Sequence, residues 1–287
     1  MGPVAHRLGD RLHLQHGPID LIIGADGAGH ARTQAFAAAQ ARFATVLEEL
    51  VAEIDLLRQP IGHDTPPPHG ETATRMMDAS KRFARGTFVT SMAAVAGAVA
   101  ETILQAMTAT ADLPRAYVNN GGDIALHLTQ GTEFSTAMAG HDGRALGRIR
   151  ITHADPIRGI ATSGRHGRSL SCGIADSVTV LAATAATADV AATLIANAVD
   201  VQNTSAIRRR PAREIDDHSD LGDRLVVTGC GPLRADAITT ALGNGADYAQ
   251  KCANGGQITG ACLFLQGQSR VIGHSPVTLS QGTPEYA

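Results

Sequence analysis

The stretch from Gly159 to Asp200 constrains the fold of this chain most strongly, because a loop, a strand and a helix are predicted in direct succession. Its first residues, IATSG at 160–164, are small or carry hydroxyl groups, and a basic, glycine-rich loop follows at 165–168. The run SVTVL at 177–181 is rich in β-branched residues and predicts a strand. An alanine-rich segment then predicts a helix. The combination suits a site for phosphate and metal.

Asp189 and Thr193 lie in this predicted helix at positions i and i+4, so both side chains face the same side of it. A carboxylate and a hydroxyl are hard oxygen ligands, which Mg²⁺ prefers and shares with the phosphates of a substrate. The spacing therefore permits a metal site. It also permits a structural role, in which Asp189 is stabilised near a helix N-terminus and Thr193 only packs.

The loop before the strand offers groups that bind phosphate. Thr162, Ser163 and Gly164 combine hydroxyl groups with unshielded backbone N–H groups. Arg165 and Arg168 can add charge-assisted hydrogen bonds. These residues are candidates for a cofactor-binding pocket, and an exposed basic turn without a ligand is the alternative.

A second polar turn lies within the sequence RAYVNNGGDIALHL at 115–128. A pair of glycines between strand-like runs indicates either an Asn-Gly hairpin turn or a bulge that faces a ligand, and both interpretations stay open. In the second interpretation the cofactor-binding candidates are Asn119, Asn120, Gly121, Gly122 and Asp123.

Cys172 is close in sequence to His166 and Arg168. Neighbouring positive charge would lower the pKa of its thiol and make it a nucleophile, with His166 as the second catalytic candidate. A buried, inert thiol is the alternative. The four cysteines show no CxxC spacing, so free thiols in a reducing compartment are expected.

The composition is that of a globular protein, with 44% hydrophobic and 18% charged residues. A net charge of −3 gives no reason to expect nucleic acid or an anionic membrane as the partner. Residues 6–16 lack the apolar run of a signal peptide, and the apolar run 91–107 is mostly alanine and contains Glu101. We therefore expect a cytoplasmic protein, and its small-residue helices are compatible with a homodimer.

The order of predicted elements favours an α+β fold with mainly antiparallel sheets, because no regular βαβ alternation and no GxGxxG motif between strand and helix occurs. We expect one domain over residues 1–287, with two lobes joined around 109–115 as a variant. Three adjacent arginines at 208–210 are expected in a solvated loop. Predicted helices are at 28–57, 74–85, 91–107 and 234–242, and predicted hairpins at 10–26 and 258–274.

Three ordered segments resemble the ApbE family, the flavin transferases that move FMN from FAD onto a threonine of a target protein. YVNNGGDI at 117–124 is similar to that family's VNxGG(D/E)I strand, and IATSG at 160–164 to its (I/V)ATSG motif. SVTV at 177–180 and ADVAAT at 188–193 are similar to its SVTV strand and ADxxxT helix. The resemblance is closer to a branch of ApbE-like proteins that lacks a signal peptide and carries the stretch SLSCGIADSVTVLA, found here at 169–182.

The resemblance implies an α+β fold of antiparallel sheets packed with helices, related to the T-fold. It implies Mg²⁺ held by Asp189, Thr193 and a backbone carbonyl near Val95, with FAD or FMN in the pocket. Two departures concern the chemistry. The family's lysine before Gly97 is Ala96 here, and the histidine that follows its TSG motif is missing.

The resemblance favours a protein that binds a flavin nucleotide or a similar diphosphate with Mg²⁺ and transfers FMN or hydrolyses a phosphoryl bond. A transferase of this kind would have to use His166 or Cys172 in place of the missing histidine. One alternative is a flavin- or metabolite-binding protein without catalysis. Another is a thiol-dependent enzyme of sulfur metabolism that uses Cys172.

Overall fold

The structure is a computed structural model that describes residues 2–202, 204–273 and 276–280. Its helices are α1 (Ala31–Ala52), α2 (Ile54–Leu57), α3 (Glu71–Lys81), α4 (Val95–Thr110), α5 (Ala185–Ala198) and α6 (Ala235–Asn254). Its strands are β1 (Val4–Leu8), β2 (Arg11–His16), β3 (Ile19–Asp26), β4 (Arg115–Asn120), β5 (Asp123–Leu128), β6 (Glu133–Ala139), β7 (Ala145–Thr152), β8 (Gly159–Ser163), β9 (Ser177–Ala182), β10 (Ile207–Pro211), β11 (Leu225–Cys230), β12 (Gly260–Leu265), β13 (Gln268–Gly273) and β14 (Val277–Leu279).

The chain divides into two compact units, each built from several segments. Unit 1 comprises Met1–Phe134, Ile151–Ala161 and Ala182–Val190, and unit 2 comprises the remaining segments, Ser135–Arg150, Thr162–Leu181 and Ala191–Ala287. Residues 109–115, where two lobes were expected to join, lie inside unit 1. Helices and antiparallel strands occur in both units, which confirms the predicted α+β class.

Unit 1 is an antiparallel sheet covered by helices. Its strands follow the order β1-β2-β3-β4-β5-β8, and α1 and α4 pack against each other and against the sheet. The hairpin predicted at 10–26 is present as β2 and β3. Aliphatic and phenylalanine side chains close the core, among them Leu14, Leu21, Ile23, Phe36, Phe43 and Ile103.

Unit 2 contains an antiparallel sheet in the order β9-β12-β13, against which α6 packs. The hairpin predicted at 258–274 is formed by β12 and β13, although His274 lies outside the described residues. A separate antiparallel pair is formed by β10 and β11, and β14 pairs with β7.

Two predictions about unit 2 were wrong. Residues 208–210 form part of β10 and pair with β11; Arg209 makes an ion pair with Asp200, and Arg210 pairs with Glu214 at 3.1 Å. The helix expected to end at Leu242 continues through two glycines to Asn254. In both places, contacts with residues distant in sequence outweigh the local signals of charge and glycine.

The small-residue helix begins near the predicted residue. The Thr90 hydroxyl accepts a hydrogen bond from the Met92 N–H at 3.2 Å, and a short 3-10 turn at Ser91–Ala94 leads into α4. Within the described ranges, Ser91–Thr110 is one stretch long and apolar enough to cross a membrane, with a mean hydropathy of 1.4. Half of that window is buried inside the protein, and core helices pass the same test of length and composition.

Two glycines of α6 should respond oppositely to alanine. A Cβ at Gly243 would meet open space, so Gly243→Ala should raise the free energy of unfolding by about 1 kcal/mol. A Cβ at Gly245 would lie 2.3 Å from Val199 Cγ2 and 2.8 Å from Leu263 Cδ2, both on fully buried residues. Gly245→Ala should therefore lower the free energy of unfolding by roughly 1–3 kcal/mol. Urea unfolding measures both changes, and shifts of the same sign would contradict this packing.

Candidate functional site

The carboxylate of Asp189 lies at the N-terminus of α4. Its Oδ2 atom accepts a hydrogen bond from the Gly97 N–H at 3.0 Å, and the Ala96 N–H also interacts with the carboxylate. The first N–H groups of a helix have no partner within the helix, so a carboxylate is favoured there. Asp189, a candidate metal ligand from its sequence pattern, is thus held by two backbone N–H groups of α4.

Asp189 is one of two neighbouring carboxylates. Part of the residue is exposed, yet the surrounding protein desolvates its carboxylate. Desolvation and the nearby charge of Asp123 raise the pKa of Asp189 well above the ordinary value, whereas the N–H groups of Gly97 and Ala96 lower it. Asp123 itself is buried, at 9% exposure. A buried Asp123 therefore lies close enough to Asp189 for its charge to act on the Asp189 carboxylate.

The turn between β4 and β5 brings Asp123 to this place. Asn120 pairs with Asp123 across the strands, leaving a two-residue turn of Gly121 and Gly122 with φ angles of 65° and 115°. The Gly122 N–H donates to Asn119 Oδ1 at 2.8 Å, so the Asn119 side chain closes the turn. Of the two interpretations left open by the sequence, the hairpin turn is correct and the bulge is not.

Asn120 connects this turn to α4. Its Nδ2 atom donates to the Ala96 carbonyl at 3.2 Å, and the residue is 4% exposed. Ala96, Gly97, Asn120, Asp123 and Asp189 thus form one polar group within unit 1. We call these five residues the Asp123–Asp189 cluster.

The helices α4 and α5 approach each other closely beside the cluster. A Cβ at Gly97 would lie 2.3 Å from the Ala185 carbonyl oxygen, so only glycine fits there. One turn further along α4, Glu101 Oε1 accepts a hydrogen bond from the Ala186 N–H at 2.8 Å. From the sequence, Glu101 was noted only as a charge in an apolar run. Its spacing of four residues from Gly97 puts both on one face of α4, and this spacing could have indicated that Glu101 faces the same helix as Gly97.

The other residues predicted to hold a metal lie on the same two helices. Val95 is the first residue of α4, in unit 1. Thr193 follows Asp189 by four residues along α5, is half-buried and belongs to unit 2. No group of three or more His, Cys, Asp or Glu residues in the described part of the chain could hold a metal ion.

The predicted phosphate loop lies at the end of β8. Thr162 Oγ1 is 3.0 Å from Thr179 Oγ1, so one of its hydrogen bonds stays within the protein. Ser163 ends the strand, and Gly164 follows with a φ of +152°. A Cβ at Gly164 would lie 2.6 Å from the Asp176 carbonyl oxygen, so the loop requires glycine here.

Arg165 is engaged by Asp176. Its Nε and Nη2 atoms lie 3.0 Å and 2.5 Å from Asp176 Oδ1, and both side chains are largely buried. The second carboxylate oxygen of Asp176 accepts the Gln266 N–H at 2.5 Å. The guanidinium predicted to bind phosphate therefore already has an anionic partner.

His166 also belongs to this ion pair. Its Nε2 atom is 3.4 Å from Asp176 Oδ1, and its ring stacks on His141 with centroids 3.7 Å apart. Desolvation, followed by the charges of Arg165 and His141, lowers the pKa of His166, while Asp176 opposes the shift. His166 thus contacts protein groups on two sides.

The environment of Cys172 differs from the expected one. Burial raises the pKa of its thiol, and among nearby charges the lowering influence of Arg224 comes first, opposed by Asp200. His166 and Arg168, which were expected to lower this pKa, are not among the principal causes. This direction is opposite to the one that activates a nucleophilic thiol, so it favours the second interpretation of Cys172, a buried and inert thiol.

Slow alkylation is therefore expected for three cysteines. Burial raises the pKa of Cys172 and Cys230, and that of Cys252 to about 11. At neutral pH, this leaves Cys252 with roughly 100-fold less thiolate than an unperturbed thiol. Iodoacetamide labelling followed by peptide mass spectrometry should show all three reacting more slowly than a cysteine-containing reference peptide. Faster labelling of Cys172 than of the reference would contradict this.

The fold and the cluster define an α+β protein with paired carboxylates at a helix N-terminus. The chain belongs to the family described as "AbpE bacteria", whose model matches residues 4–271. This membership confirms the resemblance found in the sequence motifs.

Archaeal relatives resemble the chain over part of their length. A UPF0280 protein of Methanopyrus kandleri is 36% identical over 159 residues, which cover 55% of this chain and 61% of that protein. A UPF0280 protein of Methanococcus maripaludis strain C5 is 32% identical over 188 residues, covering 61% of this chain and 75% of that protein. The chain thus spans less than two thirds of the length of the Methanopyrus relative.

One solved structure is similar over most of the chain. The apo form of the Pseudomonas stutzeri flavinyl transferase ApbE is 12% identical, with a TM-score of 0.46, and the match covers 98% of this chain and 94% of that one. The flavin transferase ApbE of Vibrio cholerae gives a TM-score of 0.38 at 13% identity, with 67% and 87% of the two chains covered.

Proposed function

We propose that the protein binds a flavin nucleotide, FAD or FMN, or a similar diphosphate together with Mg²⁺, at the Asp123–Asp189 cluster. The observation that carries the proposal is the Asp189 carboxylate, which accepts the Gly97 N–H at the N-terminus of α4 and lies within the electrostatic influence of the buried Asp123. Like charges destabilise each other when water is excluded, and a bound divalent cation relieves that cost. The ordered ApbE motifs supply the class of ligand.

The donor set fits Mg²⁺. This ion takes oxygen ligands and is usually bound through one or two carboxylates together with substrate phosphates. Asp189 and Asp123 offer carboxylate oxygens, and the family resemblance adds the Thr193 hydroxyl and the carbonyl near Val95. When bound, Mg²⁺ neutralises the charge of a diphosphate and polarises its phosphoryl oxygen.

The residues of the chain orient and shield this site. The N–H groups of Ala96 and Gly97 fix the Asp189 carboxylate, and the Asn120 amide ties the β4–β5 turn to α4. The turn places Asp123 beside Asp189. These groups are held by the backbone of helix and sheet, so a ligand that binds there would lose little free energy to ordering them.

Binding is better supported than transfer. Ala96 stands where the family has lysine, the family histidine is missing, and His166 is held by Asp176 and His141. We therefore propose flavin binding as the better-supported function, and FMN transfer or hydrolysis of the diphosphate as the second candidate. The raised pKa of the Cys172 thiol disfavours the thiol-dependent enzyme.

Asp189→Asn should weaken Mg²⁺ binding at least tenfold, equivalent to about 1.4 kcal/mol. The amide oxygen of asparagine can still accept the Gly97 N–H, so the fold should survive, while the charge that attracts the cation is removed. Isothermal titration calorimetry with Mg²⁺ in the presence of FAD measures the change, and Asp189→Ala should show the same loss.

Asp247→Asn is the matched control, since Asp247 is an exposed carboxylate on α6 in unit 2. Its isotherm should equal that of the wild type. Absence of Mg²⁺ and FAD binding by the wild type would refute the proposal, as would an Asp189→Asn variant that binds as tightly as the wild type.

Product analysis separates the two candidate functions. A hydrolase consumes one water and converts FAD to FMN and AMP, in amounts that depend on Mg²⁺. If the diphosphate is hydrolysed, chromatography of FAD incubated with the protein should show FMN and AMP in equal amounts. Transfer breaks the same bond but joins FMN to a threonine of an acceptor protein, so with such an acceptor present AMP should appear without free FMN. Binding of FAD without release of AMP, with and without the acceptor, identifies the non-catalytic function.

A further inference from the structure

We propose that Glu101 is a positioning residue, which holds the first turn of α5 so that Asp189 faces the N-terminus of α4. The inference rests on the proposed function, because it assigns the residue that sets the geometry of the Asp123–Asp189 cluster. Glu101 does not belong to the cluster and acts through α5.

Each of the two helices provides a carboxylate that accepts an N–H group at the start of the other. Glu101 of α4 accepts the Ala186 N–H of α5 at 2.8 Å, and Asp189 of α5 accepts the Gly97 N–H of α4 at 3.0 Å. Each helix therefore satisfies one unpaired N–H group at the start of the other. Ala186 precedes Asp189 by three residues, about one helical turn, so a shift of α5 at Ala186 moves Asp189 as well.

The contact leaves little freedom for any other arrangement. At Gly97 the backbones touch, since a Cβ there would lie 2.3 Å from the Ala185 carbonyl oxygen and 2.7 Å from the Ala186 nitrogen. Gly97 sets how close the helices come. The hydrogen bond of Glu101 sets how α5 is placed along and around that contact, because it ties one N–H of α5 to one oxygen of α4.

A third helix orients Glu101. Its other carboxylate oxygen, Oε2, is 3.4 Å from Arg75 Nη1 of α3, and the side chain is 16% exposed. Arg75 also pairs with Glu71 at 3.0 Å and donates to Gln105. This outer group can be altered at Glu71 without touching α5, which supplies a matched control.

The experiment compares Glu101→Ala, Glu101→Gln and Glu71→Gln in ¹⁵N-labelled full-length protein. Hydrogen exchange of the Gly97 amide reports its bond to Asp189 without any metal, and titration with Mg²⁺ and FAD reports the site. In Glu101→Ala, we expect Gly97 exchange to rise and Mg²⁺ affinity to fall, each by about tenfold, which is the typical cost of losing such a cap. Glu101→Gln keeps an acceptor oxygen and should stay within about threefold of the wild type. Glu71→Gln should behave as the wild type.

Several outcomes would overturn the inference. One is a Gly97 amide that exchanges in Glu101→Ala as slowly as in the wild type. Another is Glu101→Gln failing to rescue what Glu101→Ala loses. If Glu101→Ala does not fold, Glu101→Asp, which shortens the side chain by one carbon, replaces it and should expose Gly97 in the same way; an unchanged Gly97 amide there refutes the inference.

Failure of the proposed function gives a different pattern. If the wild type binds neither Mg²⁺ nor FAD, while Gly97 exchange rises in Glu101→Ala and recovers in Glu101→Gln, the positioning role stands and the metal site does not exist. If the wild type binds both and Gly97 exchange is unaffected by Glu101, the metal site stands and the positioning role is wrong.

Discussion

The contact between α4 and α5 at Gly97 is the constraint on which the proposed site depends. At Gly97 the backbones of the two helices touch, so no side chain fits between them. The N–H groups at the start of each helix have no partner within that helix and are satisfied by a side chain of the other. Asp189 and Glu101 do this in opposite directions. The arrangement accounts for the glycine and for both carboxylates, and the site is a consequence of how the helices meet.

Much of the fold follows from local patterns in the sequence. The alternation at β2 and β3, the β-branched run of β9 and the small residues of α4 each predict their element. Burial on one face selects the alternation, whereas β9 is buried along its whole length and is apolar or small throughout. The prediction failed at α6 and β10. Two glycines inside α6 look like a helix end, yet Gly245 is required where the helix packs against Val199 and Leu263. Three arginines look like a loop, yet they form a strand in which Arg209 pairs with Asp200 and Arg210 pairs with Glu214.

The candidate site was predictable only in part. The spacing of Asp189 and Thr193 and the polar turn at 119–123 marked ligand-binding candidates, and the ordered motifs gave the family. The partners of Asp189 could not be found by spacing, since Gly97 lies 92 residues away in sequence. The same limit applies to Cys172, whose electrostatic environment comes from Arg224 and Asp200 and not from the neighbours in sequence that suggested an activated thiol.

The ion pair in the glycine-rich loop bears on how a ligand would arrive. Asp176 contacts Arg165 and His166 and accepts the Gln266 N–H. The negative charge of Asp176 therefore largely neutralises the positive charge of Arg165 beside it. A cancelled charge produces little field beyond the Debye length of about 8 Å at physiological ionic strength. Arg165 therefore adds little long-range steering for a nucleotide, and its contribution to capture would depend on short-range fit and vary little with added salt.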